Sequence, residues 1–208
     1  MPGRLCGWRS ATLGGCIIAD KFPSVTTALK KAREFSGIPE AVLEKARDRG
    51  SRVHAMIPKL IYPEENSYTV DQDVAGYLVS FSEWYRIAVQ ETLFCEKEIV
   101  CHCFGYVGHI DWAGVLKGDG KDVTIIDWKT PLLGHLVFKC QTAAYIHLVD
   151  KHIELPPGYK PKRSATLHLD QAGGKAQLRE SSDWSQYYFN GFLLALGFHK
   201  FFDEGAKA

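Results

Sequence analysis

Two aspartates and a lysine interrupt otherwise apolar stretches of this chain. Asp111 lies within the run Ile110 to Leu116, Asp127 follows the run Val123 to Ile126, and Lys129 comes two residues later. Both runs are rich in β-branched residues, and the polar, glycine-rich Lys117 to Lys121 between them is hairpin chemistry. A strand repeats every two residues, so Asp127 and Lys129 share one face. Charges on strands this apolar need partners, because burying an unpaired charge is costly. If the loop has an odd number of residues centred on Asp119, Asp111 falls opposite Asp127, with Cβ atoms about 5 Å apart. Two carboxylates that close repel unless a cation bridges them or one is protonated. A two-residue Asp119-Gly120 turn would instead send Asp111 to the other face. The chemistry on offer is a divalent cation held by carboxylates, with a lysine beside it.

Other residues of the same kind flank the hairpin. Upstream, Arg49-Gly50-Ser51-Arg52-Val53-His54 sits on a helical stripe of Ala46, Arg49, Val53 and Ile57. A glycine inside a helix costs about 1 kcal/mol against alanine, so Gly50 points to close backbone approach. Downstream, Gln141 and Tyr145 are four apart and share a helical face. Lys139 lies just ahead of Gln141 on the same helix and could meet a phosphate.

These pieces resemble a known family. Asp111 followed by Asp127-Trp128-Lys129 resembles the PD-(D/E)xK nuclease signature, with Asp in the variable acidic place. Gly108-His109-Ile110-Asp111 ahead of a strand ending in Asp-Trp-Lys resembles the RecB-type branch, which includes phage and bacterial exonucleases. Arg49 to His54 is similar to the motif that precedes the core there, and Gln141 to Tyr145 to its Q-x-x-x-Y helix. Pro23 to Leu29 resembles the entry segment of phage-type members. The pieces occur in the family's order between Arg49 and Tyr145.

The resemblance implies a metal-dependent deoxyribonuclease, an exonuclease hydrolysing phosphodiester bonds in recombination, repair or replication. It implies Mg²⁺ or Mn²⁺, either one ion or two, held by His54, Asp111, Asp127 and the backbone carbonyl of Trp128. Asp111, Asp127 and Lys129 would be catalytic. Gln141, Tyr145, Lys139 and Arg52 would hold DNA, and Glu98 in the preceding strand would be an accessory residue. A recombination or replication protein is a possible partner. Some relatives hold an iron–sulfur cluster with three late cysteines; no cysteine follows Cys140 here, so no cluster is expected. Two other readings use the same residues: a DNA-binding subunit of this fold without catalysis, and an Asp111–Asp127 acid–base pair acting on a small substrate.

The elements that must position these groups follow from pattern and length. The 208 residues carry 46% hydrophobic and 24% charged residues, an ordinary globular composition. A single domain is expected, with residues 1–91 mainly helical and 92–200 an αβ core. At net charge +1, a nucleic-acid surface must be local; Lys30, Lys31, Arg52 and Lys139 are candidates. No apolar run reaches the roughly 18 residues of a membrane span, and the start lacks the apolar region of a signal peptide. Residence in the cytoplasm of a bacterial or phage-infected cell is expected.

Helices are expected over 23–35, 39–61, 71–90, 135–152 and 182–199, and strands over 92–103, 106–116, 123–129, 163–170 and 175–179. A further short strand is expected at 16–18. Glu96 and Glu98 alternate along the first long strand. That order implies an α/β fold: a restriction-endonuclease-like core with a central mixed sheet flanked by helices and an N-terminal helical elaboration. Of six cysteines, Cys101 and Cys103 flank His102, yet a closed zinc site needs four ligands. Without CxxC spacing or secretion, free thiols are the reading.

Overall fold

The computed structural model describes residues 22–32, 39–63, 69–130, 136–181 and 185–204. The expected short strand at 16–18 and the far end of the first expected helix lie outside these. Helix α1 (Val25–Ala28) is capped by Ser24, whose side chain accepts from the Thr27 N–H at 3.0 Å, and a 3₁₀ turn (Lys30–Ala32) follows. Then come α2 (Glu40–Ile61), α3 (Gln72–Ala88), β1 (Val89–Cys101), β2 (Tyr106–Leu116) and β3 (Asp122–Lys129). Helix α4 (Leu136–His152), β4 (Lys160–His168), β5 (Gln177–Glu180) and α5 (Ser185–His199) complete the order. Among the described residues, no helix is long and apolar enough to cross a membrane.

The five strands form one mixed sheet in the order β1-β2-β3-β4-β5. The pairs β1–β2, β2–β3 and β4–β5 are antiparallel; β3–β4 is parallel, joined through α4 as a parallel pair requires. The β2–β3 loop is the odd one. Val115 pairs with Val123 and Trp112 with Ile126, which centres the hairpin on Asp119. Gly118 and Gly120 turn the chain with φ of 92° and 64°, a left-handed conformation open to glycine at little cost.

Apolar side chains leave the sheet on both faces. On one, Ile110, Val123 and Ile125 pack under Ala144, Leu148 and Phe192 of α4 and α5. On the other, Trp112, Ile126 and Trp128 pack against Val53 and Ile57 of α2 and Phe81 of α3. The aromatics of α3 are therefore core: Phe81 meets Trp128 edge-on at 5.2 Å, and burying such a side chain contributes about 1.5–3 kcal/mol.

Two glycines mark opposite packing regimes. A Cβ on Gly108 would stand 2.3 Å from Leu148 Cδ1 and 3.2 Å from Tyr145 Cδ1, so α4 lies directly on β2. Among the described residues, a Cβ on Gly50 would meet only Thr130 Oγ1, at 3.7 Å. That is ordinary contact, so the close approach expected at Gly50 is not found among them. Gly108→Ala should cost about 1–3 kcal/mol by overpacking, whereas Gly50→Ala should gain up to about 1 kcal/mol from helix propensity. Urea unfolding of both variants checks the pair; equal effects would contradict this packing.

Candidate metal centre

The site forms where side-chain alternation reverses. Along β2, Tyr106 and Ile110 face α4 and α5, but Trp112 and Leu116, also even-numbered, face α2 and α3. In β1, Ile99 and Cys101 face α4 and α5 whereas Cys95 faces the other way. Cys95 pairs with Trp112 and Lys97 with Ile110, leaving Glu96 and Asp111 opposite each other at the reversal. Glu96 has φ of 51°, a left-handed value that an L side chain adopts at a cost. This joint turns both carboxylates toward α2.

His54 reaches in from α2. Its Nε2 donates to the Trp128 carbonyl at 3.2 Å, and its Nδ1 lies 3.5 Å from Asp111 Oδ2 and 3.9 Å from Glu96 Oε1. Asp111 Oδ2 also accepts the Trp128 N–H at 2.8 Å. His109 gives Glu96 Oε2 a hydrogen bond at 2.8 Å. Ligand atoms of His54, Glu96 and Asp111 all lie within 4.8 Å of one another.

Asp127 adjoins this group from β3. Asp111 and Asp127 are 5% and 1% exposed, so neither charge is met by bulk water. Asp127 forms an ion pair with Lys129, and its Oδ1 accepts from Gln141 Nε2 at 2.8 Å. Lys129 Nζ donates to Gln141 Oε1 at 3.3 Å and sits 4.7 Å from the Phe138 ring centre. One buried glutamine therefore fixes the acid and the lysine together.

The donors fit a cation. Three carboxylates, Glu96, Asp111 and Asp127, face the Lys129 ammonium and the imidazoles of His54 and His109. Glu96 Oε1 is buried without a hydrogen-bond partner among the described residues, an arrangement that is costly unless something positive satisfies it. Carboxylate oxygens, an imidazole and the Trp128 carbonyl are ligands for a hard or borderline divalent ion.

Electrostatics follow from this crowding. Burial and the neighbouring Asp111 raise the Asp127 carboxyl to about 6 despite Lys129. Burial opposes the charge on Asp111, but His54 and Lys129 outweigh it and lower its pKa. Burial likewise works against a charged His54; the Asp111 and Asp127 charges prevail and raise it from 6.5 to about 9. The folded state thus binds the His54 proton more tightly than the unfolded chain. This contribution to stability is full below pH 6.5 and fades as pH rises through about 9. With chelator present, the stability difference between the parent and His54→Gln should shrink over that window in urea unfolding. A constant difference would contradict it.

The structure sorts the expected site residues. His54, Asp111 and the Trp128 carbonyl come together with Glu96, whereas Asp127 lies outside the group of ligand atoms within 4.8 Å of one another and pairs with Lys129 beside it. Gln141 joins them, but it is 2% exposed and supports the acid and the lysine rather than facing a substrate. Tyr145 is buried too, its hydroxyl accepting from Gln141 Nε2 at 2.9 Å, so it does not reach a ligand either. Glu98 is exposed and lies two ladder pairs further on, opposite His109; Glu96 takes the accessory place because of its left-handed backbone. Arg52 is drawn away by Asp48, Asp71 and Asp73, at 2.9, 2.9 and 2.6 Å. Three carboxylates neutralise it, so it is a clamp between α2 and α3.

Lys139 is exposed on α4, 3.2 Å from the Tyr188 hydroxyl. It lines a cavity of about 350 Å³ with Phe138, Thr142, His168 and Arg179. Phe138 joins this cavity to Lys129. Glu96 and Arg179 went unrecognised in the sequence; counting back from the β1–β2 turn would have set Glu96 opposite Asp111. No family model and no curated protein matches the chain.

Proposed function

We propose that this chain is a metal-dependent deoxyribonuclease of the PD-(D/E)xK type, acting as an exonuclease with Mg²⁺ or Mn²⁺. The observation that carries the reading is convergence: His54 from α2, Glu96 from β1 and Asp111 from β2 bring their ligand atoms together, with the buried Asp127–Lys129 pair of β3 beside them. The five-stranded mixed sheet flanked by helices is compatible with the restriction-endonuclease-like core that the motifs imply.

His54, Asp111 and Glu96, with the Trp128 carbonyl, would hold the ion, and Asp127 would add its charge. Bound there, Mg²⁺ or Mn²⁺ would supply Lewis-acid stabilisation of the phosphate and a more acidic water. Lys129 would orient the attacking water and offset negative charge developing on the phosphoryl oxygens. Gln141 would keep Lys129 and Asp127 in that relation. The cavity beyond Phe138 offers Lys139 and Arg179 to the DNA backbone, whose phosphates favour such cations.

Incubation with end-labelled single-stranded, linear duplex and circular DNA, with Mg²⁺, Mn²⁺ or chelator, tests the proposal. Linear DNA should be degraded, circular DNA spared, and chelator should stop the reaction. Cutting of circles would make the enzyme an endonuclease. DNA binding without cleavage under any ion would favour the non-catalytic subunit.

A further inference from the structure

At the far end of β1, five residues or about 16 Å from Glu96, a second group of ligand atoms converges. Cys101 Sγ and one ring nitrogen each of His147 and His152 lie within 4.8 Å of one another. This cluster shares no residue with the carboxylate centre and does not depend on the nuclease reading.

Its geometry is prepared in detail. Cys101 is fully buried at the start of the β1–β2 turn; burial pushes its thiol up, partly offset by the backbone N–H groups of Phe104 and Cys103. The Tyr106 hydroxyl lies 2.8 Å from His147 Nδ1 and 3.3 Å from the Ala144 carbonyl. With its one proton on the carbonyl, Nδ1 donates to the hydroxyl and Nε2 keeps the lone pair, the tautomer that a second polar group commonly fixes at a metal-binding histidine. The His147 ring is held flat against Phe189, with centroids 4.3 Å apart and planes at 19°, and edge-on to Phe104. His152 Nε2 is buried and has no hydrogen-bond partner among the described residues. A buried imidazole nitrogen with no partner is costly and calls for an electrophile.

We propose that Cys101, His147 and His152 form a metal site of the zinc class that pins the β1–β2 turn to the C-terminal end of α4, with the exposed Cys103 of the same turn, which stands outside the 4.8 Å group, swinging in as the fourth ligand. Thiolate and imidazole are the ligands of tetrahedral Zn²⁺, with bonds of about 2.3 and about 2.0–2.1 Å. Each ion bound displaces the proton of each ligating thiol to solvent, which leaves two thiolates and two neutral imidazoles around Zn²⁺. The site steadies the helix that carries Gln141 without entering the carboxylate centre.

The test is Co²⁺ titration of the full chain after chelator treatment, under a phosphine reductant. A thiolate-to-cobalt charge-transfer band should appear together with strong tetrahedral d–d absorption, and Zn²⁺ should bleach both. Cys101→Ser should lose most of the band, and Cys103→Ser about half. His152→Gln changes a half-buried residue at a helix end and should fold as the parent does by circular dichroism. It should bind Zn²⁺ at least tenfold more weakly. Asp111→Asn, at the other centre, should leave the band intact. No band in the parent, or a band unchanged by Cys101→Ser or His152→Gln, would overturn the site.

Discussion

Asp127→Asn is expected to lower DNA cleavage about a thousandfold or more. The asparagine keeps the shape and can still meet Gln141, so the fold should persist. It loses the negative charge that faces Lys129 and adds to the charge of the centre. Metal-ion stabilisation of a reacting phosphate is worth several kcal/mol, and each 1.36 kcal/mol is a tenfold change in rate. Losing about 4 kcal/mol gives the stated factor. Mn²⁺ affinity should fall in the same variant, measured by calorimetry beside single-turnover cleavage. Parent-like cleavage by Asp127→Asn would remove this carboxylate from the chemistry.

Lys129→Ala is expected to slow cleavage by a factor on the order of a hundred to a thousand, as losing one preorganised donor typically does. Its effect on ion binding should differ in sign from that of Asp127→Asn. Removing a nearby positive charge leaves Mn²⁺ affinity intact or slightly higher. The variant also strands Asp127 in the core with Gln141 as its hydrogen-bond donor, and breaking a buried pair on one side costs about 3–5 kcal/mol. In chelator Lys129→Ala should therefore melt earlier than the parent, and Mn²⁺ should restore part of the loss. Parent-rate cleavage by Lys129→Ala would make the lysine a structural strand residue.

What could be read from the sequence was what depends on local pattern. Glycine and polarity between two β-branched runs announced the hairpin, but the choice between an odd and a two-residue loop needed the strand register, which centres it on Asp119. Helical spacing gave α2, α3 and α4 to within a few residues of their ends. Depth and long-range pairing were not legible. Helical spacing set Gln141 and Tyr145 on one face, but only packing against β2 and β3 shows that both are buried. Arg52 looked like a phosphate contact because Asp71 and Asp73, which capture it, belong to the next helix. Glu98 displaced Glu96 because period-two alternation cannot register a left-handed residue within a strand. His147 and His152 are five apart, which is not a shared helical face; they meet because α4 ends at His152 beside the β1–β2 turn.

The central claim is that the carboxylates at this joint hold a cation that drives phosphodiester cleavage. The most direct measurement is the rate of label release from linear DNA as Mn²⁺ is titrated, for the parent, Glu96→Gln and Glu98→Gln. Half-maximal rate in Glu96→Gln should need at least tenfold more Mn²⁺, while Glu98→Gln should follow the parent curve. Cleavage that persists in chelator, or equal curves for Glu96→Gln and the parent, would contradict the account.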